Sequence, residues 1–289
     1  MMTYTLPPPS TGQKYVVVTP INGGEITLPE RSFVSPSDPK AVVTVPSLCF
    51  LITHPGVDGQ RRPGYLLFDL GLRAQPDNYT KQQRYHLESR VPYQLGPGVA
   101  QSLQYGGLVP TDIDTVILSH LHYDHHGDPA DFPRAQFFVG PGSLDLLRNG
   151  LGLSASHQFF DPDLFREVSR VAELPSLSTP AWKPLGPFEA TLDLLNDGSI
   201  YVVDAPGHLP GHINLLCRLG DHHGEREIAT WVDVHGNTNC IHVDRARAKE
   251  TLSNIRRLQQ MDEIDVEVVM AHDVQWWMRN QHRAFPVTR

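Results

Sequence analysis

Short apolar runs rich in β-branched residues, each broken by glycine, proline or a polar cluster, recur along most of the chain. That spacing predicts strands. The first is Tyr15-Val16-Val17-Val18-Thr19, bounded by Pro20 and Gly23-Gly24. Two more, over 47–53 and 65–69, flank a turn rich in Gly, Pro and Arg and so predict a hairpin. Further strands are expected over 112–118, 135–139, 190–195, 199–204, 213–219, 227–233 and 266–270. Among them, residues 99–105 read as a short helix closed by Gly106-Gly107, and 143–148 as another, capped by Ser143 and ended at Gly150. Asp244 is placed to cap a longer helix running to Met261, with Leu252, Ile255 and Leu258 on one stripe.

Two segments resist this reading. Residues 73–97 are polar, aromatic and proline-containing with little periodicity, which is long for a structureless connection and predicts a binding loop bordering a pocket. Residues 151–187 carry Phe159, Phe160, Phe165 and Trp182 among prolines and read as a covering insertion. No fixed-period repeat and no linker divides the chain. The expectation is one α/β domain over residues 1–289, two mixed sheets covered by helices, with 1–13 as an exposed lead-in.

Composition narrows the partners. Forty per cent hydrophobic and nineteen per cent charged residues is a globular balance, enough for a substantial core. The formal charge is −8 with Lys and Arg scattered, so the basic footprint of a nucleic-acid binder is missing and a small-molecule substrate is expected. Cys49, Cys217 and Cys240 lack any C-x-x-C spacing and read as reduced, mostly buried thiols. No apolar run approaches a membrane span and the amino terminus lacks a secretory layout, so a soluble cytoplasmic protein is the expectation, without a membrane partner. Oligomeric state is not fixed by the sequence.

The chemistry concentrates in Ser119-His120-Leu121-His122-Tyr123-Asp124-His125-His126-Gly127-Asp128, directly behind the apolar run Thr115-Val116-Ile117-Leu118. If the backbone stays extended, His120 and His122 point to one side, while Asp124 and His125 fall at the turn beyond. Imidazole and carboxylate without thiolate suit a divalent ion such as zinc, with iron or manganese compatible. His208, Asp233 and His272 repeat the placement, each at the end of a predicted strand. Asp69, in Asp69-Leu70-Gly71, also ends a strand, where it reads either as a turn former or as a site residue. His126, His157, His222, His223 and His235 carry no assignment and read mostly as solvated.

Taken together these residues resemble the metallo-β-lactamase superfamily, whose signature is H-x-H-x-D-H followed by a distant His, an Asp and a final His. The likeness covers Asp69-Leu70-Gly71, His120 to His125, Pro206-Gly207-His208-Leu209-Pro210-Gly211-His212, Asp233 and His272. It implies an αββα sandwich and two divalent metal ions, zinc foremost. By that resemblance His120, His122 and His208 hold the first ion, Asp124, His125 and His272 the second, and Asp233 bridges them. His212 is left as a supporting residue, and Asp69 as one that orients a ligand. The implied reaction is attack of a metal-bridging hydroxide on a carbonyl, with Asp124 as the catalytic proton carrier.

Within the superfamily, the thioester hydrolases of the glyoxalase II type carry a helical C-terminal domain, whereas only residues 273–289 follow His272 here. The nucleases carry basic surfaces, and the zinc β-lactamases often place Cys at the position of Asp233. The wording Ser119 to His125, Ser253-Asn254-Ile255-Arg256-Arg257-Leu258 and His272-Asp273 is closest to the N-acyl-homoserine lactonase-like branch. Those lactonases commonly place a tyrosine three residues after the bridging Asp, where this chain has Gly236. The resemblance therefore implies a hydrolase of a cyclic ester or cyclic amide with a differently lined pocket, where His235, Asn237 or Tyr123 are candidate replacement donors. Trp276 and Trp277 are candidates for a pocket wall or for core. An acyl-thioester hydrolase using the same site is the alternative, followed by an iron-dependent oxygenase and by a metal-stabilised binding protein without activity.

Overall fold

The computed structural model describes residues 5–32, 38–56, 63–152, 159–219, 244–261 and 266–286. The expected hairpin opens a six-stranded sheet in the order β1 (Val17–Pro29), β2 (Val42–His54), β3 (Gly64–Phe68), β4 (Thr115–Leu118), β5 (Gln136–Val139) and β6 (Val171–Glu173). The first three strands run antiparallel, and β3 to β6 are parallel. A second, antiparallel sheet is ordered β10 (Ile213–Cys217), β9 (Ile200–Asp204), β8 (Phe188–Asp193) and β7 (Lys183–Leu185).

Alternation along the strands assigns the layers. Ile52, Leu66 and Ile117 turn to one side and meet Ile200, Val202 and Ile213 of the second sheet, with Trp182 closing the edge. Their neighbours Leu51, Leu67, Val116 and Leu118 turn the other way, onto Val99 and Leu103 of α2 (Val99–Tyr105) and Leu146 and Leu147 of α3 (Ser143–Asn149). On the outer face of the second sheet, Phe188 and Val203 pack against Ile255 and Leu258 of α4 (Arg245–Gln259). Helix, sheet, sheet, helix is the αββα sandwich that the sequence implied. Asp244 caps α4 as expected, its side chain accepting from Arg247 N at 3.1 Å.

Several expectations are corrected. Pro20 and Gly23-Gly24 do not end the first strand: β1 is the sheet edge, where a residue without an N–H is tolerated, and a shift of register between Asn22 and Glu25 absorbs the glycines. Residues 73–97 are no loop throughout, because Thr80 caps α1 (Lys81–Glu88) with a reciprocal box to Gln83. The covering insertion supplies β6 and β7, one edge of each sheet. Gly142, and not Ser143, precedes α3 as its cap. Residues 266–270 form no ladder with a described strand, and the expected strand over 227–233 lies outside the described residues. Trp276 and Trp277 lie in α5 (Val274–Asn280), buried against Leu48, so theirs is a core role. Among the described residues no helix is long and apolar enough to cross a membrane.

Gly71 follows Asp69 at the end of β3 with φ +66°, and a Cβ there would stand 2.5 Å from Gly23 O and 2.6 Å from Gly23 Cα. Both obstacles are backbone, and Leu72 N donates to Gly23 O at 2.8 Å across the same contact. Gly71→Ala is therefore expected to cost more than about 2 kcal/mol, from left-handed strain and overpacking together. Chemical denaturation checks it; an unchanged midpoint would mean that the two backbones separate freely.

Candidate metal centre

The candidate ligands collect where β3 and β4 end side by side. The backbone there is zipped: Asp69 N donates to Ile117 O at 2.9 Å, Leu70 N to His125 O at 2.8 Å, and Gly127 N to Gly71 O at 2.9 Å. Leu121, only 1% exposed, plugs the core and leaves its neighbours His120 and His122 turned to the opposite side. The loop after β9 is tied to the same place by Ile213 N donating to Ser119 O at 2.9 Å, which brings His208 in from the second sheet.

Two donor groups result. In the first, His120 Nε2 lies 3.0 Å from His122 Nδ1, and His208 Nε2 lies 3.2 Å from each of them. In the second, Asp124, His125 and His272 meet, with His272 Nε2 3.5 Å from Asp124 Oδ2. The groups adjoin, the rings of His120 and His125 being 4.1 Å apart between centroids. Asp233 lies outside the described residues, as do His157, His222, His223, His235, Gly236 and Asn237. His212 stays out of both groups and donates from Nδ1 to Ala205 O at 2.8 Å.

Asp69 organises both groups. Its carboxylate accepts from Ser119 N at 2.6 Å, from Ser119 Oγ at 2.7 Å and from His125 Nδ1 at 2.8 Å. The single hydroxyl hydrogen of Ser119 is thereby used, so the 3.0 Å contact with His120 Nδ1 requires that ring nitrogen to donate. His120 therefore presents an unprotonated Nε2 to its group, and His125 is left with Nε2 for an ion. The third anchor is Pro46 O, which accepts from His272 Nδ1 at 2.7 Å.

The donor chemistry fits a divalent cation. Burial, with His125, His208 and His122 around it, pushes the His120 pKa well below its ordinary value, so the ring is neutral. Neutral imidazole nitrogens crowded this closely turn lone pairs on one another, and a cation among them relieves that repulsion. Burial works to raise the Asp124 carboxyl, but the adjoining His272 and the nearby His125 and His122 outweigh it and hold the group well below the usual carboxylate range. Burial alone would lower His125, and the adjoining Asp69 and Asp124 carboxylates raise it instead.

The far end of the ligand loop differs from its expected character. His126 is fully buried, not solvated. Burial first, then the charge of Arg73, pushes its pKa down to about 3. Its Nδ1 donates to Gly127 O at 2.8 Å, and its Nε2 faces Gln83 Nε2 at 3.2 Å. Asp128 pairs with Arg73 Nε at 3.3 Å. Neither Gln83 nor Arg73 carries a local sequence signal of this role, although Thr80-x-x-Gln83 is a readable capping box. Tyr123 is buried, which raises its hydroxyl pKa, and the hydroxyl is engaged by Arg90.

Comparison with known proteins bears on this geometry. Residues 64–243, more than half of the chain, match the family described as the Metallo-beta-lactamase superfamily. The chain is 30% identical over 266 residues to the cytochrome P450 monooxygenase mpaDE' of Penicillium brevicompactum, covering 80% of this chain and 30% of that protein. It is 28% identical over 234 residues to the gamma-lactamase FDB1 of Fusarium pseudograminearum, covering 75% and 54% respectively. The chain thus spans about half or less of the length of these relatives. A solved structure of a B. thuringiensis AiiA mutant, with N-decanoyl-L-homoserine bound at its active site, superposes with a TM-score of 0.63 over 99% of both chains at 16% identity, a likeness of fold. Since the family match takes in β3 to β10, more than half of the chain, the chain belongs to the metallo-β-lactamase superfamily.

Proposed function

We propose that this protein is a dinuclear metal-dependent hydrolase that opens a cyclic ester or a cyclic amide. What supports this most directly is the meeting of two thiolate-free donor groups, one all-imidazole and one mixed, on a single buried carboxylate. The similarity to a gamma-lactamase, and the fold shared with a protein that binds an acyl-homoserine, favour ring opening over other hydrolyses.

In this reading His120, His122 and His208 hold one divalent ion, zinc by preference with iron or manganese compatible. Asp124, His125 and His272 would hold the second, with Asp233, outside the described residues, a ligand common to both. Bound ions of this kind activate water near neutral pH and polarise a carbonyl. The chain's own residues do the rest. Asp69 fixes which nitrogen His125 presents, directly, and which His120 presents, through Ser119. Asp124, ionised at neutral pH, takes up at a carboxylate oxygen a proton from the water that adds to the carbonyl, and returns it to the ring oxygen or nitrogen as its bond to the carbonyl carbon breaks.

Purified protein is expected to carry close to two divalent ions per chain and to open members of a lactone and γ-lactam panel. Chelation is expected to abolish turnover and zinc to restore it, read by elemental analysis beside the assay. Less than one ion per chain, or turnover indifferent to chelator, would refute the mechanism. Turnover confined to acyl-thioesters would keep the centre and replace the substrate class.

A further inference from the structure

The aromatic segment beside the centre is not held by its own packing alone. Phe160 lies 5.9 Å from His122, ring to ring, and Phe159 lies 4.9 Å from His86, whose ring in turn stands edge-on to Tyr123 at 5.1 Å. Polar anchors bracket the pair on both sides. Ahead of Phe160, Gln83 Nε2 donates to Phe159 O at 2.9 Å. Behind it, Arg73 Nη2 donates to Asp161 Oδ2 at 3.0 Å, and both side chains are buried.

Both anchors run to the end of the ligand loop that has no place in the ion-binding set. Gln83, wholly buried, has two amide hydrogens; one goes to Phe159 O and the other to His126 Nε2, while its Oε1 accepts from Thr80 N. His126 can accept there because its Nδ1 carries the hydrogen donated to Gly127 O. Arg73 Nε donates to Gly127 O at 3.0 Å and pairs with Asp128. Both amide hydrogens and the carbonyl oxygen of Gln83 are engaged, which is what a buried amide that fixes a position requires.

We propose that His126, Gly127 and Asp128, through Gln83 and Arg73, form a dock that sets the Phe159–Phe160 wall, and that this wall selects aryl-bearing rings. Gln83 is a positioning residue and Phe160 a specificity-determining one. The inference rests on the hydrolase reading above and deepens it. Phe160, 7% exposed with one face on His122, and the half-buried Phe159 beside His86 offer an aryl substituent edge or offset contacts that an alkyl chain of equal size cannot match. Displacing the wall by even a fraction of an ångström removes that advantage without removing a ligand side chain.

The test compares an unsubstituted γ-lactone with the same ring bearing a phenyl group and one bearing an alkyl group of similar size. In wild type, KM is expected to favour phenyl over alkyl by about tenfold. Gln83→Met is expected to retain both ions and to keep kcat on the unsubstituted ring within about threefold, while the phenyl preference collapses through KM. Phe160→Leu, which removes the π face but keeps an apolar side chain, is expected to lose the same preference and stands in if Gln83→Met fails to fold. The ring-opened hydroxy acids of the phenyl and alkyl substrates read the discrimination without turnover, as unequal shifts of the thermal midpoint in wild type and equal ones in the variants. An unchanged preference in either folded variant, or a uniform loss across all three rings, would overturn the dock. If wild type opens only thioesters, the ring reading fails by itself, and the phenyl-to-alkyl ratio measured on acyl-thioesters still decides the wall.

Discussion

Asp124→Asn is expected to leave the fold intact and to lower ring opening by about 10²–10⁴-fold, the range lost when a positioned proton carrier is removed. Asparagine matches the shape of the carboxylate but neither takes up a proton at neutral pH nor carries the charge that faces His125 and His272. If the second donor group holds an ion as proposed, that ion is expected to bind more weakly as well, because one of its anionic ligands has become neutral. Steady-state kinetics with excess zinc separates the two effects, since restored occupancy leaves the chemical loss in place. Full lactone hydrolysis by the metal-loaded variant would remove Asp124 from the chemistry.

Asp69→Ala is expected to act on stability and on metal affinity at once. Asp69 is 2% exposed and accepts three hydrogen bonds, from Ser119 N, Ser119 Oγ and His125 Nδ1. Deleting the carboxylate leaves buried donors without an acceptor, at about 1–3 kcal/mol each. Its φ of +62° is poorly suited to alanine and adds strain. Loss of such a supporting group typically weakens metal binding by about 10–100-fold. A lowered thermal midpoint, with earlier loss of ions to a competing chelator, is the expected pair of readings. Wild-type values in both would show that Ser119 and His125 find other partners.

Much of the centre was legible because its residues stand at ends of strands that announce themselves by composition. The run Thr115-Val116-Ile117-Leu118 fixes where β4 stops, and His120, His122, Asp124 and His125 follow from that stop. His208 could be preferred to His212 only through the resemblance; in the structure the Nδ1 of His212 is turned to Ala205 O. What escaped reading depends on tertiary context. Pro20 inside β1 is allowed because that strand has a neighbour on one side only. β6 and β7 are three residues each, too short for a period to show, and they exist because a longer strand offers them a partner. The histidine at 126 looks solvated in a polar stretch, yet it is buried because Gln83, forty-three positions away, supplies its partner. No local pattern carries that information.

The single carboxylate beneath both donor groups has a thermodynamic consequence. Asp69 restrains His125 directly and His120 through Ser119, so whatever stiffens one group stiffens the anchor of the other. If each group holds an ion as proposed, the first to bind bears most of the ordering cost and the second finds its nitrogens already aimed. Occupancy is then cooperative, and by linkage the coupling is reciprocal: each ion tightens the other by the same factor, whichever arrives first.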